Sequence, residues 1–236
     1  MNRFSLDPDV KVLLPDGSSH SLTTYLLPSA ILMVAAILLM ISMVLPYWSM
    51  KFYAPQFPKG LSVYVYVDHI VGGTANDIQE IDTLNHYLGM PKLETGGQLE
   101  RSISVVAIIA LGFLLLASVF VHNQWAAVFA LPAIGFPFMF LADLWYILDT
   151  FGHSLKPDSA LGGAIKPFTP PIFGAGKVGQ FSTLAEPQAG LLLAFAAVLV
   201  VLVGLYFHRA AYKPIMDARK RLAAGAISVE AQASKA

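Results

Sequence analysis

The chain has 236 residues, of which 56% are hydrophobic and only 13% charged, whereas soluble globular domains carry about a quarter charged residues. An ordinary soluble domain is excluded, and 15 basic against 15 acidic residues leave neither a basic footprint for nucleic acid nor an acidic solvating tail. With no cysteine, disulfides, thiolate zinc sites, iron–sulfur clusters and covalent c-type haem are also excluded, so any metal must be held by His, Met, carboxylate or Tyr.

In chain order, a polar N-terminal segment (1–25) precedes an apolar run at 26–47, inside a stretch free of acidic and basic residues from Gly17 to Met50. That run is long enough to cross the roughly 30 Å of bilayer hydrocarbon as a helix. It exceeds a signal-peptide core and no small-residue cleavage site follows, so it reads as a retained first span. A loop at 48–101 comes next. The charge-free stretch from Ser102 to Ala142 is about twice what one crossing needs. Its most polar point is His122-Asn123-Gln124, which divides it into spans two (102–121) and three (125–150). A second loop (151–186) leads to span four (187–208), apolar on every face, and a basic tail (209–236). The tail carries Arg209, Lys213, Arg219, Lys220 and Arg221, from which both termini are expected in the cytoplasm and the two loops on the far side, which in a bacterial inner membrane would be the periplasm. The expected fold is an all-α transmembrane four-helix bundle with a small α+β periplasmic cap built from the two long loops, and its first partner is the lipid bilayer.

In the first loop, Pro55, Pro58 and Gly60 predict an extended approach to a strand in which Leu61, Val63, Val65 and Val67 alternate with polar or aromatic residues. Gly72-Gly73 ends it. Ile78, Ile81, Leu84 and Leu88 then recur at helical spacing behind Asp77, Glu80 and Asp82, and Gly89 stands where a C-terminal cap belongs, predicting a helix at about 77–88. On it Asp82 and His86 share a face, with Met90 just past the glycine. Imidazole and thioether suit copper, above all Cu(I), and a carboxylate on the other ring nitrogen would fix the tautomer. The competing reading is a helix whose His and Met pack on a strand. Asp68 and His69, as neighbours on a strand, would point to opposite faces, so His69 has at most a supporting role.

The second loop opens as span three closes. Asp143 lies near the outer membrane boundary, where a carboxylate requires a partner or a watery cavity. Gly152 predicts that the helix stops there, with His153 at its end and Asp149 one turn earlier. Pro157, Pro167, Pro170-Pro171 and three glycines after them predict a pinned lid without long regular structure. His86 and His153 from separate loops are expected to meet over the bundle and, with Met90 and a carboxylate or Tyr, to make a copper site. His122 and His208 stand at cytoplasmic helix ends, where snorkelling is far commoner than haem b ligation, so copper rather than haem is the expected cofactor. No phosphate loop, dinucleotide fingerprint, zincin motif or nucleophile elbow is present, so no autonomous catalytic activity is expected.

Four strings in the two loops carry a resemblance: Ala54-Pro55-Gln56-Phe57-Pro58, Asn85-His86-Tyr87-Leu88-Gly89-Met90, Gly152-His153-Ser154-Leu155-Lys156-Pro157 and Phe168-Thr169-Pro170-Pro171. They resemble the NosB-type four-span bacterial membrane proteins associated with clade II nitrous-oxide reductase gene clusters. The resemblance implies an accessory protein that serves a periplasmic copper enzyme in metal delivery, maturation or electron supply. It singles out His86, Met90 and His153, with Asn85 and Tyr87 as neighbours. Lys59 departs from the acidic residue common in that group. The alternative reading is a membrane anchor or electron-transfer subunit of a larger respiratory complex, quinol- or haem-linked.

Overall fold

The computed structural model describes residues 11–13, 19–121, 123, 125–160, 163–178 and 181–233. A short antiparallel pair, β1 (Lys11–Leu13) and β2 (Ser19–Ser21), precedes helix α1 (Leu22–Ser42). Strands β3 (Trp48–Ala54), β4 (Phe57–Val65) and β5 (Ile70–Gly72) follow, then helix α2 (Asp77–Leu88) and a single 3-10 turn at Leu93–Thr95. Two long helices, α3 (Gln98–Phe120) and α4 (Trp125–His153), lead to β6 (Gly174–Val178), β7 (Phe181–Pro187) and a final helix α5 (Ala189–Ala233).

Among the described residues, α1, α3, α4 and α5 each hold a stretch long and apolar enough to cross a membrane. All are apolar around most of their circumference, as lipid-facing helices must be. Buried residues at the helix contacts are often small: Ala35 and Ala36 on α1, Ala130 and Ala133 on α4, Ala194 and Ala197 on α5. Small side chains let helix backbones approach, which in lipid replaces the missing hydrophobic drive for association.

The extramembrane layer differs from the expected one. Instead of one strand and one helix, five antiparallel strands form a sheet in the order β5-β4-β3-β7-β6, with α2 packed on β4. Trp48, Met50, Leu61 and Val63 of the sheet share a core with Ile81 and Leu84 of α2 and Leu144 of α4. The described parts of the second loop are irregular over 154–160 and 163–173, but the loop then supplies β6 and β7. Its strand pattern is inverted: in β7 Thr183 and Ala185 face inward while Leu184 is exposed, so hydrophobic alternation does not mark it. Strand β3 lacks alternation too, because its first three residues are all buried. Pro55 and Gln56, expected in an extended approach, form the tight turn between β3 and β4, with Ala54 paired to Phe57.

Helix α1 stops at Ser42 rather than continuing to Tyr47, since Tyr47 belongs to the sheet junction. Its N–H donates to Val65 O (2.8 Å) and its carbonyl accepts from Gln188 N (3.0 Å), while Gly190 N donates to Pro46 O (2.8 Å). The Tyr47 ring is fully buried against Phe136 and Phe140 of α4, and its hydroxyl lies 2.7 Å from Ser42 Oγ. Burial, only partly offset by the Ser42 hydrogen bond, pushes its pKa up to about 12, so the phenol stays neutral and available to that bond.

Removing the hydroxyl in Tyr47→Phe should cost about 1 kcal/mol, and removing the ring in Tyr47→Ala about 3–5 kcal/mol. Thermal unfolding in detergent measures both, and an unchanged midpoint in Tyr47→Ala would refute the junction.

Candidate functional site

Helix α2 is held at both ends. At its start, Asp77 is buried and accepts from Ser62 N of β4 (2.8 Å) and from the Thr74 hydroxyl. Burial opposes its ionisation, but the Thr74 hydroxyl and the backbone N–H groups of Ser62, Thr74 and Gly73 outweigh that and hold its carboxyl below the ordinary 3.8. Sequence reasoning counted Asp77 only as a first-turn acid; the cross-strand bond that gives it its role has no local signal.

At its end, Gly89 takes the left-handed conformation (φ 80°) and completes a Schellman motif. Gly89 N donates to His86 O (3.2 Å) and Met90 N to Asn85 O (2.8 Å), while the buried Asn85 side chain donates to Pro91 O (3.3 Å). The Gly89 carbonyl accepts from Lys156 N (3.0 Å) on the second loop. That loop is anchored in turn, because Phe168 N donates to Gly152 O (3.2 Å) and a Cβ on Gly152 would lie 1.7 Å from Phe168 O. Three of the four strings that carry the resemblance are therefore stitched together by backbone contacts.

His86 and Tyr87 project from this scaffold, exposed, and Met90 is half-buried. His86 and Met90 border a wide hollow of about 820 Å³ with Asp82, Lys92, Glu94 and Lys156, and also a smaller one of about 330 Å³ with Tyr87, Asp158 and Ser159. His153, expected to meet His86, lines neither hollow. Asp82 does not act as the expected tautomer-fixing partner: its Oδ1 accepts from Leu93 N (2.7 Å) and secures the 3-10 turn. Among the described residues no group of three or more His, Asp and Glu side chains is close enough to hold a metal ion. A metal at this site would rest on imidazole and thioether, a soft donor pair that fits Cu(I) and suits a hard cation poorly.

His153 ends α4 in a prepared state of its own. Its Nδ1 is 2.9 Å from Asp149 O and 3.4 Å from the Asp149 carboxylate, which also accepts from Thr169 Oγ1 (2.5 Å). With the proton held on Nδ1, the lone pair of Nε2 points outward. His69 is not on a strand: it lies in the turn between β4 and β5, where Asp68 Oδ1 meets its Nδ1 at 2.5 Å and its ring stacks on Tyr66 (4.4 Å). Asp143 lines neither hollow but a separate cavity beneath the sheet. His208 is buried, with Nε2 2.9 Å from Val121 O, which ties α5 to the end of α3. The other candidate haem ligand, His122, lies outside the described residues.

No family model and no curated protein matches the chain.

Since Asp77 has a lowered folded pKa, its contribution to stability is complete above the unfolded value of about 4 and is lost as pH falls through the folded one. Acid unfolding of the sheet layer, followed by tryptophan fluorescence, should lose that pH-dependent component in Asp77→Asn, with a cost of about 1–3 kcal/mol at neutral pH. Gly89→Ala must hold a side chain at positive φ with its Cβ 2.5 Å from Ser159 Oγ and 2.7 Å from Lys156 N. It should lose about 1–3 kcal/mol and free the second loop, seen as faster amide exchange at Lys156; wild-type exchange there would contradict the staple.

Proposed function

We propose that the protein is an integral membrane accessory protein of the bacterial inner membrane, with both termini cytoplasmic and its sheet layer in the periplasm. There it handles copper, as Cu(I) cargo, for the maturation or electron supply of a copper enzyme such as nitrous-oxide reductase. The observation that carries this reading is the shared position of His86 and Met90 on the border of two open hollows, set by the Schellman turn at Gly89.

The chemistry follows from the donor set. A neutral imidazole and a thioether favour the soft monovalent ion, and with few donors they hold it loosely enough to release to a site with more ligands. Lys92 and Lys156 border the same space together with Asp82 and Glu94, so the rim offers a partner surface complementary charges of both signs. His153, with Nδ1 engaged by Asp149 and Nε2 outward, is a second donor on the same layer to or from which the ion passes through the partner, since it lines neither hollow.

Competition of the detergent-purified protein against a chromophoric Cu(I) chelator tests the reading. His86→Ala and Met90→Leu should each weaken Cu(I) binding by about tenfold or more, roughly 1.4 kcal/mol, and His153→Ala by less. Unchanged affinity in His86→Ala would overturn it.

A further inference from the structure

A cavity of about 630 Å³ lies beneath the sheet, walled by Trp48, Phe52 and Val65 above and by α3 and α4 at the sides. Its α3 wall runs from Glu100 to Leu111, about 16 Å of helix, so from the membrane boundary it reaches through about one leaflet of a bilayer whose hydrocarbon is about 30 Å thick. Ile103 and Met139 line it and are 55% and 66% exposed on the helix surface, so it opens sideways toward lipid. The size is that of a small-molecule site, and the walls are mostly apolar with several aromatic rings.

Its polar groups are few: Glu100 and Asp143, Arg101, the Tyr66 and Ser104 hydroxyls and the Trp48 indole. Asp143 is partly buried, has no hydrogen-bond or ion-pair partner among the described residues, and has the like-charged Glu100 as its electrostatic neighbour. The Arg101 guanidinium, also at the cavity wall, donates to the carbonyls of Glu94 (2.5 Å), Gly96 (2.7 Å) and Gly97 (3.3 Å). Trp48 Nε1 donates to Ile172 O (2.6 Å) and the Ser104 hydroxyl to Arg101 O (2.9 Å), so these donors are also engaged. The Tyr66 hydroxyl lines the cavity too, but the Asp143 carboxylate is left there as an acceptor that no donor answers. Two carboxylates against one guanidinium leave the lining net negative, which disfavours an anionic headgroup, and a ligand that brings only acceptors leaves Asp143 unanswered.

We propose that this cavity binds a lipid-soluble hydroquinone drawn laterally from the bilayer, with the Asp143 carboxylate accepting a hydrogen bond from one ring hydroxyl. The flat aromatic head fits among Trp48, Phe136 and Phe140, and the single hydrocarbon tail leaves past Ile103 and Met139. The reduced form is preferred because its hydroxyls donate, whereas the oxidised quinone carries only carbonyl acceptors. The site is independent of the copper reading, which involves none of these residues.

Anaerobic titration of the full-length protein in detergent with decylubiquinol and decylubiquinone, read by quenching of tryptophan fluorescence, tests the proposal. Wild type should bind the quinol saturably and at least about tenfold more tightly than the quinone. Asp143→Asn, whose amide both donates and accepts, should bring the ratio close to one, and Ala107→Trp, which fills the cavity, should abolish both. Equal affinity, a preference for quinone, or displacement of the quinol by stoichiometric phosphatidylglycerol in the wild type would overturn it. The wild-type ratio decides even if the Asp143→Asn protein fails to fold.

Discussion

Everything outside the helices depends on how the chain leaves them. Backbone polar groups at the end of a membrane helix have no water to turn to on the lipid side, so the junction must satisfy them with protein. Here Pro46, Tyr47, Gln188 and Gly190 exchange hydrogen bonds between the end of α1, the middle of the sheet and the start of α5. The buried Tyr47 ring fills the corner against α4. Because β3 and β7 grow from neighbouring helices through this corner, they pair along their whole length and become the centre of the sheet. The register of every other strand, and the seat of α2, follows from that pairing.

The strings that single out the two loops acquire a structural account from this arrangement. Pro55 and Gln56 turn the β3–β4 hairpin, Gly89 reverses the chain after α2, and Gly152 admits the backbone of Phe168. These residue types are demanded by geometry before any ligand is considered. What geometry does not demand is an exposed imidazole at His86 beside a half-buried thioether at Met90, nor an outward Nε2 on His153. Those side chains are where chemistry is to be sought, and they are presented by a scaffold whose own fold does not need them.

Two separate levels of the molecule therefore hold candidate ligand chemistry. The outer one is open and bordered by acidic and basic side chains alike. The inner one is apolar, acidic at its head and open to lipid.

The sequence alone determined the membrane class, the number of apolar helices, the bounds of α2 and its glycine stop, because hydrophobic length, helical periodicity and a left-handed cap are all local signals. It also reduced metal chemistry to a few His and Met positions through the lack of cysteine. Only the tertiary structure decided that the second loop completes the sheet, since the inward residues of β7 are Thr183 and Ala185 and its exposed one is Leu184. It also set Asp82 to hold a turn rather than His86, kept His153 off the hollows that His86 borders, and gave Asp143 a cavity to face. These are long-range pairings between segments whose meeting no residue spacing encodes, and they are settled by which backbone groups remain to be satisfied once the helices and the Tyr47 corner are in place.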